Sequence, residues 1–247
     1  MLKTLLRGTV DLIFPLNCAL CGHFDPVTAE QPLCRTCLEK IPYNHPPFCL
    51  KCSRNVKNYN EQGLCPDCLE QLPAFDEAWV FTRYEPPMDA LIRSFKFHNK
   101  TSLRKTFKHI ADTFIRRYSL RLSADMLIPV PIHPARLRER TYNQSELLAE
   151  SLGELTRLPV NSTLLTKTLF IPRQSDLRRK ERWTNIQGAF KIENPSAVTN
   201  KSFILVDDLL TTGATASEAA IVLKRAGAAS VKLVVLSAAK HKNANTA

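Results

Sequence analysis

The chain has 247 residues, 44% of them hydrophobic and 23% charged, and its 34 Lys and Arg against 23 Asp and Glu leave a formal net charge of +11. That length fits a small module plus one domain of about 170 residues, large enough to bury a core. No stretch reaches the roughly eighteen apolar residues of a membrane span, which excludes a spanning protein and gives the expectation of a soluble, cytoplasmic one. The basic excess is uneven: residues 1–76 carry 7 Lys/Arg and 8 Asp/Glu, residues 77–247 carry 27 and 15. The larger part should therefore favour polyanions, with phosphorylated ligands and nucleic acid both qualifying.

Residues 1–17 place Leu2, Leu5, Leu6, Thr9, Leu12 and Ile13 at helical spacing, with Arg7 and Asp11 breaking the apolar run. The expectation is a short amphipathic helix packed on the protein rather than an export signal, with contact to a membrane surface as the alternative.

All eight cysteines follow in residues 18–72 as four CxxC pairs: Cys18/Cys21, Cys34/Cys37, Cys49/Cys52 and Cys65/Cys68. Gaps of 12, 11 and 12 residues separate the pairs, so two similar units of about thirty residues follow one another. A CxxC puts two thiolates on one tight knuckle, and two knuckles supply the four tetrahedral ligands of a structural zinc ion. Eight thiolates predict two zinc ions with closed coordination and no open position for water or substrate. Disulfides would need an oxidising compartment, redox chemistry would use one CxxC rather than four, and an iron–sulfur cluster is a further alternative. Sequential use joins the first pair to the second and the third to the fourth; a cross-braced use of first with third satisfies the same chemistry.

Residues 77–240 alternate in an α/β manner, ahead of a tail at 241–247. Strands are expected at Ala78–Tyr84, Met126–Val130, Leu164–Leu169, Phe203–Val206 and Val231–Leu236, and helices at Pro87–Phe97, Thr101–Arg121 and Asn143 to about Arg157. That order argues a mostly parallel sheet with right-handed crossovers. A basic loop with His133, Arg136, Arg138 and Arg140 leads into Tyr142, Asn143 and Gln144, and the charged segment Arg173–Phe190 reads as a lid. Trp183, Tyr142 and Phe95 are stacking candidates for single-stranded nucleic acid.

The most specific stretch is Phe203–Thr215, FILVDDLLTTGAT. Phe203, Ile204, Leu205 and Val206 form a continuous apolar run, as in a strand buried on both faces, and Asp207 and Asp208 stand at its end, where α/β sheets place ligands. Thr211, Thr212, Gly213, Ala214 and Thr215 then gather hydroxyls and backbone N–H groups at the start of a helix, an anion-attracting position. Thr215 with Glu218 fits a capping box, and Gly227 is placed to end the helix. Two carboxylates beside a phosphate would repel it, so they are expected to face ribose hydroxyls or a magnesium ion bridging to the phosphate.

This string resembles the PRPP-binding motif of type I phosphoribosyltransferases. The four CxxC pairs, LIPVPIHPARLRERTYNQSELLAESL, RQSDLRRKERWTNIQGAF and VDDLLTTGAT together, in this order, resemble the competence protein ComF family over about Phe14–Leu236. The resemblance implies a double zinc ribbon followed by a phosphoribosyltransferase-type parallel sheet flanked by helices, and a link to uptake of transforming DNA and its machinery. It implies that Asp207 and Asp208 hold the ribose hydroxyls of PRPP, Thr211–Thr215 its 5-phosphate, and Arg136 and Arg140 the pyrophosphate, with Lys96 behind them and magnesium bound alongside. It leaves open whether the protein is a phosphoribosyltransferase with an unnamed acceptor or a non-catalytic binder of PRPP or single-stranded DNA. The family tends to show GlyPhe where this chain has Thr141 and Tyr142, which restricts the backbone there.

Overall fold

The computed structural model describes residues 17–23, 32–56, 59–171 and 179–240; the expected N-terminal helix up to residue 16, the tail and residues 173–178 of the expected lid lie outside them. Two five-residue helices, α1 (Arg35–Glu39) and α2 (Pro66–Glu70), each start directly after a cysteine. Then follow β1 (Ala78–Arg83), α3 (Met88–Phe97), α4 (Arg104–Arg117), β2 (Met126–Pro129), α5 (Pro134–Arg140), α6 (Gln144–Thr156) and β3 (Leu165–Lys167). The chain continues through α7 (Arg179–Asn185), β4 (Phe190–Ile192), β5 (Ser202–Leu210), α8 (Ala214–Arg225) and β6 (Ser230–Ala238).

Four strands form one sheet in the order β1-β6-β5-β2, every neighbouring pair parallel. β5 lies in its interior and is buried on both sides, which is why it reads as an unbroken apolar run. Its side chains divide by the period of two: Phe203 and Leu205 enter one core, Ile204 and Val206 the other. The first core holds the buried face of α8 and the β3–β4 pair, the second the buried faces of α3, α4 and α6.

The cysteine units share these cores. Cys18, Cys34 and Cys37 belong to the core of α3, α4 and α6, whereas Cys49, Cys52, Cys65 and Cys68 belong to that of α8. The two units thus sit on opposite faces of the sheet, and the segment joining them crosses its β1 edge. There Tyr43 bridges Thr82 in antiparallel fashion, and the buried Asn44 donates to Ser53 O at 2.7 Å and Val80 O at 3.1 Å. An edge strand covered in this way offers no free template for pairing.

Three expectations need correction. Leu164–Leu169 is not a member of the parallel sheet: the shorter β3 pairs antiparallel with β4 in a separate two-stranded sheet. Only Leu165 of its three residues is fully buried, and an inner parallel strand would need both faces apolar. The basic loop after β2 contains the helix α5, started by Pro134 in its first turn and by His133, whose Nδ1 accepts from Ala135 N at 3.1 Å. None of α5's residues is buried, so it carries no apolar period to read. The capping box at Thr215 does not form, because the N-cap is Gly213, two residues earlier, and the Glu218 carboxylate accepts from Gly188 N at 2.8 Å instead.

Two helix ends match their signals. Asn143 caps α6 by accepting from Ser145 N at 3.1 Å, and Gly227, at φ 93°, follows α8 with its N–H on Lys224 O and that of Ala228 on Leu223 O. The C-cap of α5 is Thr141 at φ 66°, a left-handed backbone that a β-branched residue adopts only under strain. Thr141→Gly should raise unfolding stability by about 1 kcal/mol, measured by urea denaturation; an unchanged or lower midpoint would show that the surrounding packing already absorbs the strain.

Candidate ligand cleft and metal centres

The acid pair lies inside β5 rather than beyond it, since the strand continues to Leu210. Its neighbour β2 pairs only as far as Val206, so Asp207 and Asp208 project where that side of the sheet has opened. Ser145, in the first turn of α6, donates its hydroxyl to Asp207 Oδ1 at 2.9 Å, and the same oxygen accepts from Asp208 N at 2.9 Å. The buried Asp208 carboxylate pairs with Lys96 Nζ at 2.9 Å, so Lys96 is held against the acids by α3. Burial foremost, and then the neighbouring Asp208 charge, push the Asp207 carboxyl up to about 6; Lys96, Asp208 N–H and the Ser145 hydroxyl pull it down.

Directly after β5 comes the hydroxyl-rich turn. Gly213 opens α8 at φ 86° and lacks a side chain to cap it, while Thr212 Oγ1 accepts from Ala214 N at 3.3 Å. With Glu218 turned away to Gly188, no carboxylate closes the helix start, so that beyond the Ala214 N–H held by Thr212 its positive dipole end stays available to an anion. Thr211, Thr212, Ala214 and Thr215 line a cleft of 210 Å³, faced across it by Lys167 of β3 and by Arg182, Asn185 and Ile186 from α7 and the residue after it. The described half of the expected lid thus borders this cleft.

Lys167 was not legible as a site residue, and its only signal is a lone basic residue at the end of an apolar run. Burial lowers its affinity for a proton, the Asp207 carboxylate opposes that shift, and Arg136 adds to it, which places these three charges in one field. Arg136 and Arg140 occupy one face of α5, four residues apart. Arg136 pairs with Glu139 at 3.3 Å and lies 5.3 Å over the Phe170 ring; Arg140 donates to Gln144 Oε1 at 3.0 Å and lies 5.3 Å over Phe97. Of the stacking candidates Phe95 is fully buried, whereas Tyr142, which donates its hydroxyl to Phe95 O, and Trp183, which packs against the core, are half-buried. Among the described residues, the exposed phenylalanine rings are Phe97 and Phe170, each 47% exposed.

The eight thiols form two clusters, Cys18/Cys21/Cys34/Cys37 and Cys49/Cys52/Cys65/Cys68, with all sulfurs of each within 4.8 Å of one another. This is the sequential arrangement. None of the eight forms a disulfide, and Cys21 Sγ–Cys34 Sγ and Cys52 Sγ–Cys65 Sγ each measure 3.7 Å. A zinc–sulfur distance of about 2.3 Å implies a tetrahedral sulfur–sulfur edge of about 3.8 Å, so both clusters fit zinc. Cys65 N donates to Cys49 Sγ at 3.3 Å, as ligand sulfurs commonly require.

A double zinc ribbon domain matches residues 9–69 and a phosphoribosyl transferase domain matches residues 156–246. Competence protein F of Haemophilus influenzae is 29% identical over 214 residues, covering 83% of this chain and 90% of that protein. The chain is similar to the ComF competence proteins over most of its length. DNA utilization protein YhgH of Escherichia coli O157:H7 is 28% identical over 87% of each chain, and competence protein ComFC of Bacillus subtilis is 33% identical over 64% of this chain and 62% of its own. Among solved structures, the glutamine PRPP amidotransferase of B. subtilis overlaps 55% of this chain and 26% of its own at 20% identity and a TM-score of 0.36, too partial to bear on function. Among the described residues, no helix is long and apolar enough to cross a membrane.

Cys21 is exposed whereas all four sulfurs of the second cluster belong to buried residues. Metal analysis should find two zinc ions per chain, and a chelator should remove them in two phases, with Cys21→Ser abolishing the fast one; a single phase in the wild type would contradict the asymmetry. Asp207 makes a second prediction. Its carboxyl holds a proton more tightly in the folded chain than at its ordinary value of 3.8, so stability contributed by the neutral form is lost as pH rises from about 4 to about 6. Asp207→Asn, which keeps an acceptor for Ser145, should therefore be more stable than the wild type at neutral pH by about 1–3 kcal/mol, with the gap closing below about pH 4 in urea titrations.

Proposed function

We propose that this protein binds PRPP in the cleft above β5 and acts in the uptake or processing of transforming DNA, in the cytoplasm. The observation that carries the reading is the Thr211–Thr215 turn, opened by the left-handed Gly213 at an uncapped helix start and placed beside two buried-side carboxylates. The turn suits a terminal phosphate and the carboxylates suit the vicinal hydroxyls of a ribose, two groups that a single ribose phosphate presents together.

In this reading Thr211, Thr212, Gly213, Ala214 and Thr215 hold the 5-phosphate. Asp207 and Asp208 accept from the ribose hydroxyls, and Lys96 keeps the Asp208 charge compensated. Arg136 and Arg140 approach the pyrophosphate from α5, and Lys167 with Arg182 faces the phosphate across the cleft. The oxygen-only donors of the acid pair fit magnesium, which supplies charge neutralisation for a leaving pyrophosphate. The surrounding cations oppose the same developing charge, which is what displacement at the anomeric carbon requires. The zinc ions take no part in that chemistry, since four sulfurs close each site. Eight free thiols gathered into metal sites suit a reducing compartment. The names of the relatives, competence protein and DNA utilization protein, support the assignment to DNA uptake.

One observation favours a second reading, a non-catalytic helper that holds single-stranded DNA. Phe97 and Phe170 are exposed, and each lies under an arginine of α5, a combination that stacks bases and pairs phosphates.

Titration calorimetry should show PRPP binding that needs magnesium, with Asp207→Asn and Asp208→Asn each weakening it about tenfold or more. Absence of heat with the wild type, or equal binding by the double variant, would overturn the PRPP reading. Binding of single-stranded DNA that falls steeply with salt and is lost in Phe97→Ala with Phe170→Ala would establish the second reading.

A further inference from the structure

The second cysteine cluster and the phosphate turn are joined through one side chain. Arg54 follows the Cys49–Cys52 knuckle by two residues, after Ser53 reverses the chain at φ 57°, and is only 6% exposed. Its guanidinium divides between the two sites. Nη2 donates to Leu210 O at 3.2 Å and to Thr211 O, the two carbonyls at which β5 ends and the hydroxyl-rich turn begins. Nη1 faces the metal side, 4.0 Å from Cys52 Sγ and 3.7 Å from Asp67 Oδ2 of α2, which carries Cys68.

A buried cation is costly unless its partners are charged or well oriented. Here the compensating charge is the Asp67 carboxylate together with the ligand sulfur Cys52, and the guanidinium plane is rigid, so where the knuckle goes the two carbonyls must follow. Two other contacts hold the same turn from the same side. Ala74 N donates to Ser217 Oγ of α8 at 2.9 Å, and Pro73 Cγ lies 3.9 Å from where a Cβ on Gly213 would stand. The four cysteines and Leu210 and Ala214 also share one core.

We propose that Arg54 is a positioning residue that links the metal state of the Cys49/Cys52/Cys65/Cys68 site to the geometry of the Thr211–Thr215 turn. With zinc bound, the knuckle is fixed, Arg54 holds the Leu210 and Thr211 peptides, and the N–H groups beyond them keep the orientation an anion needs. Without it, the knuckle is free to move and the turn loses its anchor. Linkage makes the effect reciprocal: a ligand that orders the turn also slows loss of the metal. The first cysteine cluster, on the opposite face of the sheet, has no such connection among the described residues. The ligand half of this inference depends on the PRPP reading, whereas the coupling between knuckle and turn does not.

Hydrogen exchange on the full zinc-loaded chain tests it without any ligand. Arg54→Met should speed exchange of the 211–217 amides about tenfold, the loss of one charge-assisted contact, while the β6 amides and the content of two zinc ions stay as in the wild type. Removal of the second zinc, after the fast phase has taken the first, should produce the same local change, and loss of the first alone should not. Equal exchange at 211–217 in wild type and variant would overturn the coupling. If Arg54→Met loses zinc or its fold, Arg54→Lys decides, since it keeps the charge and stem but not the fork and should give the same change to a smaller degree. With PRPP added, release of the second zinc to a chelator should slow in the wild type and not in the variant, and release of the first zinc should not respond. A wild type that gives no PRPP heat removes the binding reading, and the ligand-free exchange comparison still decides the coupling.

Discussion

The double burial of β5 is the constraint from which the other features follow. A strand with apolar side chains on both faces needs a core on each, so helices must cover both sides of the sheet and the ribbon units can be divided between them. Phe203 and Leu205 then share a core with one cysteine cluster, and Ile204 and Val206 with the other. The metal sites are therefore not an appendage: each shares the core on one face of the sheet, and the segment between them covers the β1 edge.

At the far end of the same strand, local rules give way. Two carboxylates sit side by side where burial raises the Asp207 carboxyl, a β-branched Thr141 occupies a left-handed position, and the start of α8 carries no acidic cap. Each departure lowers stability on its own terms: the start of α8 lines the cleft, Asp207 stands on the strand that leads into it, and Thr141 ends the helix that carries Arg136. Concentration of such departures at one place is what a binding site imposes, since groups arranged for a ligand are not arranged for their own satisfaction. The cations respond in kind: Lys96 pairs with Asp208, Lys167 shares one field with Asp207 and Arg136, and Lys167 and Arg182 line the cleft.

Much of this arrangement is local enough to be written in short strings. Four CxxC pairs at near-constant gaps specify two four-sulfur sites, because the ligands need only be close in sequence to be close in space. FILV specifies a strand buried on both faces, though not that it runs on past the two acids to Leu210, and Gly227 marks the end of α8 through a backbone angle that glycine readily adopts. Asn143 marks the start of α6 in the same local way.

What escaped the sequence is non-local. α5 has no buried face, so its helical period leaves no trace in the pattern of apolar residues. Glu218 stood where a capping box would put it, yet Gly188, thirty residues away, takes its carboxylate. Phe95 and Phe97 are two residues apart on one helix, and only the packing of α3 decides that the first is buried and the second exposed. Arg54 and Thr211 are separated by 157 residues, and no periodicity connects them. The sequence by itself determined which groups stand together, since the cysteine pairs, the two acids and the hydroxyl-rich turn are each short contiguous strings. Only the tertiary structure decided which cations join them, which face of the sheet each metal site sits on and how one of those sites touches the turn, because those are contacts between segments that meet through packing alone.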